Sequence, residues 1–140
     1  DNPAAARAIV RRKLQSAQTS LDRRAYPQAI AEIDNNRGFF TDTTQQAEAL
    51  FILAQARFGM AGKDPNALKS AALAFMRVVA NFKDAPGHPR VPESLLKTGE
   101  VLEALSDSQN ARQIYQQLTS QYPDDPAAAQ ARQNLERLKS

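Results

Sequence analysis

The chain has no cysteine, no tryptophan, a single histidine and only five glycines. Without cysteine it can form no disulfide, thiolate metal site or cysteine nucleophile. Its one histidine, His88, stands between Gly87 and Pro89. That loop setting reads as solvent exposure rather than as a general base, and one histidine is too few for a usual zinc site. No glycine-rich phosphate loop, serine elbow or dinucleotide fingerprint is present. Glu100 and Glu103 share a helical face, but acid and base catalysis needs a pocket, and a solvated face is the simpler account. These gaps point to a chain that is not an enzyme and uses no cofactor and no metal. No run is apolar enough to span a membrane or to act as a signal peptide. The chain begins at Asp1 rather than methionine, as a processed or excised piece would.

Aromatic residues make up 6% of the chain, and alanine, leucine, glutamine and arginine are frequent, so the composition favours helix throughout. A length of 140 residues suits one domain with its own core. The net charge of +3 reflects a small excess of bases. Arg11, Arg12 and Lys13 form the densest basic run, with Arg23 and Arg24 next, but Asp22, Glu32 and Asp34 lie close by. No aromatic residues interleave with the bases to stack nucleobases, which argues against a nucleic-acid partner.

The stretch from Pro92 to Pro126 sets the pattern for the rest. Leu95, Thr98, Gly99 and Leu102 lie on one helix, followed by Ala111, Tyr115 and Pro123, and Gly99 precedes Ala111 by twelve residues. Side chains three and four apart share a helical face, so Gly99 is expected to present a bare surface to a partner helix at Ala111. Pro123 ends the second helix because it lacks an amide hydrogen. The same spacing recurs upstream. Ala17 precedes Ala29 by twelve residues, and Ala54, Ala71 and Phe75 take the places of Gly99, Ala111 and Tyr115.

Taken in order, Asn2 caps a first helix through Ile9, Val10, Leu14, Ala17 and Leu21. Arg23 to Tyr26 make a turn, and a second helix carries Ala29, Ile30 and Ile33. Asn35, Asn36 and Gly38 are expected to end it through left-handed conformations. Phe39 and Phe40 lie in the corner, with packing between hairpins as their expected role. Thr43 and Gln46 suggest a capping box for a third helix through Phe51, Ala54 and Phe58. GMAGKDPN reads as a long turn, an insertion of about five residues against a 34-residue period. Asp64 and Pro65 start a fourth helix. Pro86, Gly87, His88, Pro89 and Pro92 make a stiff loop before the fifth and sixth helices. Asp125 caps a closing helix whose outer side is polar.

The pattern resembles the tetratricopeptide repeat, with Leu95 and Leu102 standing where that family favours tryptophan and tyrosine. The resemblance implies an all-α, right-handed α-α superhelix. It would hold about three helical hairpins in a single domain over 1–140, with repeats near 3–41, 43–85 and 91–125 and a capping helix over 126–138. It also implies a concave groove, lined by the first helix of each hairpin, that takes a peptide or partner protein. Helical spacing from Ala17, Ala54 and Gly99 puts Arg11, Gln18 and Asp22 on that groove, then Glu48, Gln55 and Phe58, then Glu93, Lys97, Glu100 and Glu103. The closing helix adds Gln130, Asn134 and Arg137. The basic, asparagine-rich clamp by which some members hold a terminal carboxylate is not reproduced, since Leu14, Gln18, Gln55 and Glu100 fall in its places. The glutamates of the third repeat make an acidic groove that would favour a basic or neutral segment.

QYPDDPAAAQARQNLERLKS resembles the closing part of the bacterial Tol-Pal coordinator family and of outer-membrane assembly lipoproteins. This implies a scaffold in the periplasm or another extracytoplasmic space. The alternatives are a structural or self-associating segment, forming a homo-oligomer, or an accessory domain of a larger protein.

Overall fold

The structure, a computed structural model, describes residues 2–82 and 90–139. The expected stiff loop lies outside the described residues from Pro86 to Pro89, His88 included. Among those described are seven α-helices and no strand: α1 (Pro3–Asp22), α2 (Tyr26–Asn35), α3 (Thr43–Ala61), α4 (Pro65–Phe82), α5 (Arg90–Ala104), α6 (Ser108–Gln121) and α7 (Pro126–Arg137). Each helix packs on the next. The odd-numbered helices also touch in series, α1 on α3, α3 on α5 and α5 on α7. This is the all-helical repeat architecture that the spacing predicts.

The starts of the helices follow from side-chain caps. The Asn2 carboxamide oxygen accepts from the amides of Ala4 and Ala5 at 3.1 and 3.3 Å. Asp64, Asp107 and Asp125 cap α4, α6 and α7 by accepting from Asn66, Asn110 and Ala127. Each such bond satisfies an amide that has no partner inside the helix, and is worth about 1 kcal/mol. At α3 the capping box forms one residue earlier than Thr43 and Gln46. Asp42 accepts from the Gln45 amide at 2.7 Å, and the Gln45 side chain returns to the backbone of Asp42. Aspartate is the stronger acceptor, and it wins the cap position.

Three further expectations are corrected. The extra residues around GMAGKDPN do not lengthen the turn, which spans only 62–64, as short as the links 23–25 and 105–107. They extend the helices instead, adding to the end of α3 beyond Ala54 and to the start of α4 ahead of Ala71. Pro92 belongs to the first turn of α5 rather than to a loop, a position where its missing amide hydrogen costs nothing. The end of α2 does not use left-handed residues. Asn36 has φ −118°, and the chain passes through a 3-10 turn at Arg37–Phe39. Positive φ falls at Arg24, Gly62 and Ser106, all in hairpin links.

Two apolar clusters meet at α3. One joins Val10, Ala17, Leu21, Ala29, Ile33 and Phe40 to Ala49, Ile52, Leu53 and Ala56. The other runs from Ala47, Phe51 and Ala54 through Phe75, Leu95 and Tyr115 to Ala128 and Ala131. Phe40 is buried at the corner as expected, whereas Phe39 is exposed with the Lys13 ammonium 4.4 Å from its ring centre.

Gly99 is small for a different partner than Ala111. A Cβ placed on it would lie closer than 3.0 Å to the ring of Tyr115, and one on Gly59 would similarly meet Tyr26. Tyr115 is fully buried and its hydroxyl is held, so its ring cannot step aside; Tyr26 is only half-buried. Gly99→Ala is therefore expected to cost about 1–3 kcal/mol in urea unfolding. Gly59→Ala should cost less. Gly38→Ala, with open space around it, should be neutral or stabilise by about 0.4–1 kcal/mol. Equal effects at Gly99 and Gly38 would refute this packing account.

Candidate functional site

The first helices of the hairpins place side chains from three successive elements around one hollow of about 380 Å³. Gln18 and Asp22 of α1, Gln55 and Phe58 of α3 and Lys97 of α5 all line it. The spacing places them there because Gln18 follows Ala17 and Gln55 follows Ala54, each one step around the helix from an alanine with no exposed surface. Leu21, Arg24, Tyr26 and Gly59 complete the wall. Sequence reasoning placed none of these four in the groove, reading Leu21 only as core. Arg24 reaches the site from a turn in which it adopts φ 61°. Tyr26 is the first residue of α2 rather than part of the turn. Gly59, read as part of a long turn, is helical, and its bare backbone seats the Tyr26 ring.

The hollow is mixed in character. Gln18 Nε2 donates to Asp22 Oδ1 at 2.9 Å, which orients that carboxylate, and Lys97 Nζ donates to Glu100 Oε2 at 3.2 Å. Gln55 is half-buried and makes no hydrogen bond among the described residues, so its amide can both donate to and accept from a bound main chain. Phe58 supplies an apolar wall. Its ring packs edge-on against Phe75, with centroids 6.4 Å apart.

The remaining predicted residues are placed otherwise. Arg11 is exposed on the same stripe of α1 as Gln18, two turns nearer the N-terminus and outside the hollow. Glu48 and Glu93 both face Arg90, a residue the sequence did not single out. Its Nε and Nη2 donate to the two Glu48 oxygens at 2.8 and 3.0 Å, and Nη1 donates to Glu93 at 2.8 Å. The guanidinium lies 4.8 Å over the Phe51 ring, and its pKa is raised, chiefly by the hydrogen bonds to Glu48. Asn134 is buried, and its Oδ1 accepts from Gln130 at 3.0 Å. Glu103 accepts from both Arg137 nitrogens, at 2.7 and 3.0 Å, and from the Tyr115 hydroxyl at 2.5 Å. The expected acidic groove is thus neutralised, because Glu93, Glu100 and Glu103 each face a cation of the same chain. A larger hollow of about 550 Å³ lies between α2, α3 and the end of α4 at Asn81 and Phe82. None of the predicted site residues lines it.

The Glu103 cluster ties α5 to α6 and α7. Its carboxyl is held below the usual range, first by the Arg137 hydrogen bonds and then by Tyr115, against the opposing effect of burial. The Tyr115 hydroxyl is pushed up by burial and by Glu103. A carboxyl whose pKa is lower in the folded state stabilises the fold above its unfolded pKa, near 4.5, and that contribution is lost as pH falls through the folded value. Glu103→Gln should therefore lower stability by about 1 kcal/mol at neutral pH, and flatten the decline in urea midpoint as pH is taken below that range. A variant with the same acid slope as the parent would contradict the assignment.

The family model described as tetratricopeptide repeat matches residues 93–125, which span most of α5 and all of α6 with the corner that follows. No curated protein matches the chain. The hairpin of α5 and α6 is thus similar to a tetratricopeptide repeat, a unit that generally mediates protein–protein interaction.

Proposed function

We propose that this chain is a non-catalytic scaffold that binds an extended polypeptide segment along the face made by α1, α3 and α5. The observation that carries the reading is the convergence of Gln18, Asp22, Gln55, Phe58 and Lys97, from three successive first helices, on one hollow. Side-chain amides suit the main chain of a peptide, Phe58 and Leu21 suit an apolar side chain, and Asp22 and Lys97 set polarity along the groove. Because the nearby glutamates are paired within the chain, the segment need not be strongly basic. The resemblance of the closing segment to envelope proteins supports a role in bacterial cell-envelope assembly, in an extracytoplasmic space. Fractionation of source cells tests that part, and recovery with the cytoplasm would overturn it.

Panning a random peptide library against the chain tests the groove. Peptides enriched on the parent are expected to lose about tenfold or more in affinity on Gln55→Arg, with helicity and urea midpoint unchanged. Failure to enrich any sequence, or equal binding to the variant, would sink the reading in favour of a structural or self-associating segment.

A further inference from the structure

On the opposite side of α5, the helices α4 and α6 both pack against it and barely touch one another. The space between them is a groove of about 290 Å³ with an apolar floor. Ala72, Leu73 and Met76 come from α4, Leu102 from α5 and Ile114 from α6. Leu73 is 65% exposed, more than any other large apolar side chain in the described structure. Thr98 and Leu102, which line this groove, lie about half a turn around α5 from Glu93 and Glu100. The two sides of the molecule are therefore separate surfaces.

The charged side chains that α4 and α6 themselves carry are of one sign, while Asp107 at the start of α6 accepts from Asn110 at 2.7 Å. Lys69 and Arg77 stand one helical turn before and after Leu73, on the same face of α4, both exposed and neither in an ion pair among the described residues. Neither α4 nor α6 contains a carboxylate, and the α6 rim offers the neutral Asn110 and Gln113. The acidic side chains Asp64 and Asp107 sit at the starts of these helices, committed to caps. An apolar trough with cations along its α4 rim is complementary to an apolar stripe with carboxylates on one flank.

We propose that the α4–α6 groove is a second docking site, and that it takes an acidic amphipathic helix from a partner protein. Leucine-type side chains enter between Leu73, Met76, Leu102 and Ile114, and glutamates or aspartates on the flank meet Lys69 and Arg77. A second copy of this chain is a poor occupant. Its described carboxylates are largely taken up by caps, ion pairs and hydrogen bonds within the chain, as with Glu48, Glu103 and Glu32.

The test is fluorescence anisotropy with a labelled synthetic peptide of about four helical turns, carrying leucines along one stripe and glutamates on both flanks. Saturable binding at low salt is expected, weakening as salt screens the charges. Leu73→Ser, and separately the pair Lys69→Glu and Arg77→Glu, should each reduce affinity by about tenfold or more. Gln55→Arg on the opposite face should leave it unchanged, so this result is independent of the first groove. A peptide with lysines in place of the glutamates should fail to bind the parent protein, a comparison that needs no variant. The proposal is overturned by absence of saturable binding, by equal binding of the lysine peptide, or by loss of binding on Gln55→Arg. It is also overturned if sedimentation shows a dimer that Leu73→Ser dissolves, since the occupant is then a second copy.

Discussion

The rest of the structure depends on α3 being buried on both sides. Ile52 and Leu53 face the core shared with α1 and α2, while Phe51 and Ala54 face the core shared with α4 and α5. Leu50 packs against both. A helix with apolar side chains on two separate sides has no stable existence at a surface. It folds only where neighbours cover both sides, and here the neighbours are hairpins that cannot cover themselves. Burying each of these large side chains contributes about 1.5–3 kcal/mol, and both cores draw on α3, so neither survives its loss. This is the physical content of nearest-neighbour stability in a helical repeat stack.

That constraint frees the outward surfaces. With the cores supported by α3 and by the small residues at helix crossings, the polar faces are left to differ in chemistry. The first-helix face mixes amides, an aromatic wall and charges that are mostly paired. The α4–α6 face is an apolar trough with two cations along its α4 rim. On the two proposals made above, the chain would hold two different segments at once, one read through its main chain and one through its amphipathic stripe.

Much of this was legible in the sequence because helical repeats are local. Gly99, Ala111, Tyr115 and Pro123, and the aligned Ala17, Ala29, Ala54 and Ala71, located the hairpins without any knowledge of long-range contacts. Gln18 and Gln55 reached the hollow by the same logic. What could not be read was how charges find each other. Arg90 meets Glu48 across 42 positions, and Arg137 meets Glu103 across 34. No spacing rule within one helix anticipates either pair. Gly59 was misread because glycine beside another turn-forming run looks like punctuation, while its actual role, seating the Tyr26 ring, is visible only once α2 lies against α3. The capping box slipped by one residue because Asp42 and Thr43 both satisfy the rule, and only the relative strength of their acceptors separates them.

Native-state hydrogen exchange across the chain tests the central constraint most directly. If α3 joins the two cores, its amides around Ile52 to Ala56 should be the slowest to exchange. They should open only with global unfolding, even where α1 and α2 open at lower free energy. If instead the α3 amides exchange together with those of α1 and α2 while α5 and α6 remain protected, the second core stands without α3, and the account of a stack held by one doubly buried helix is wrong.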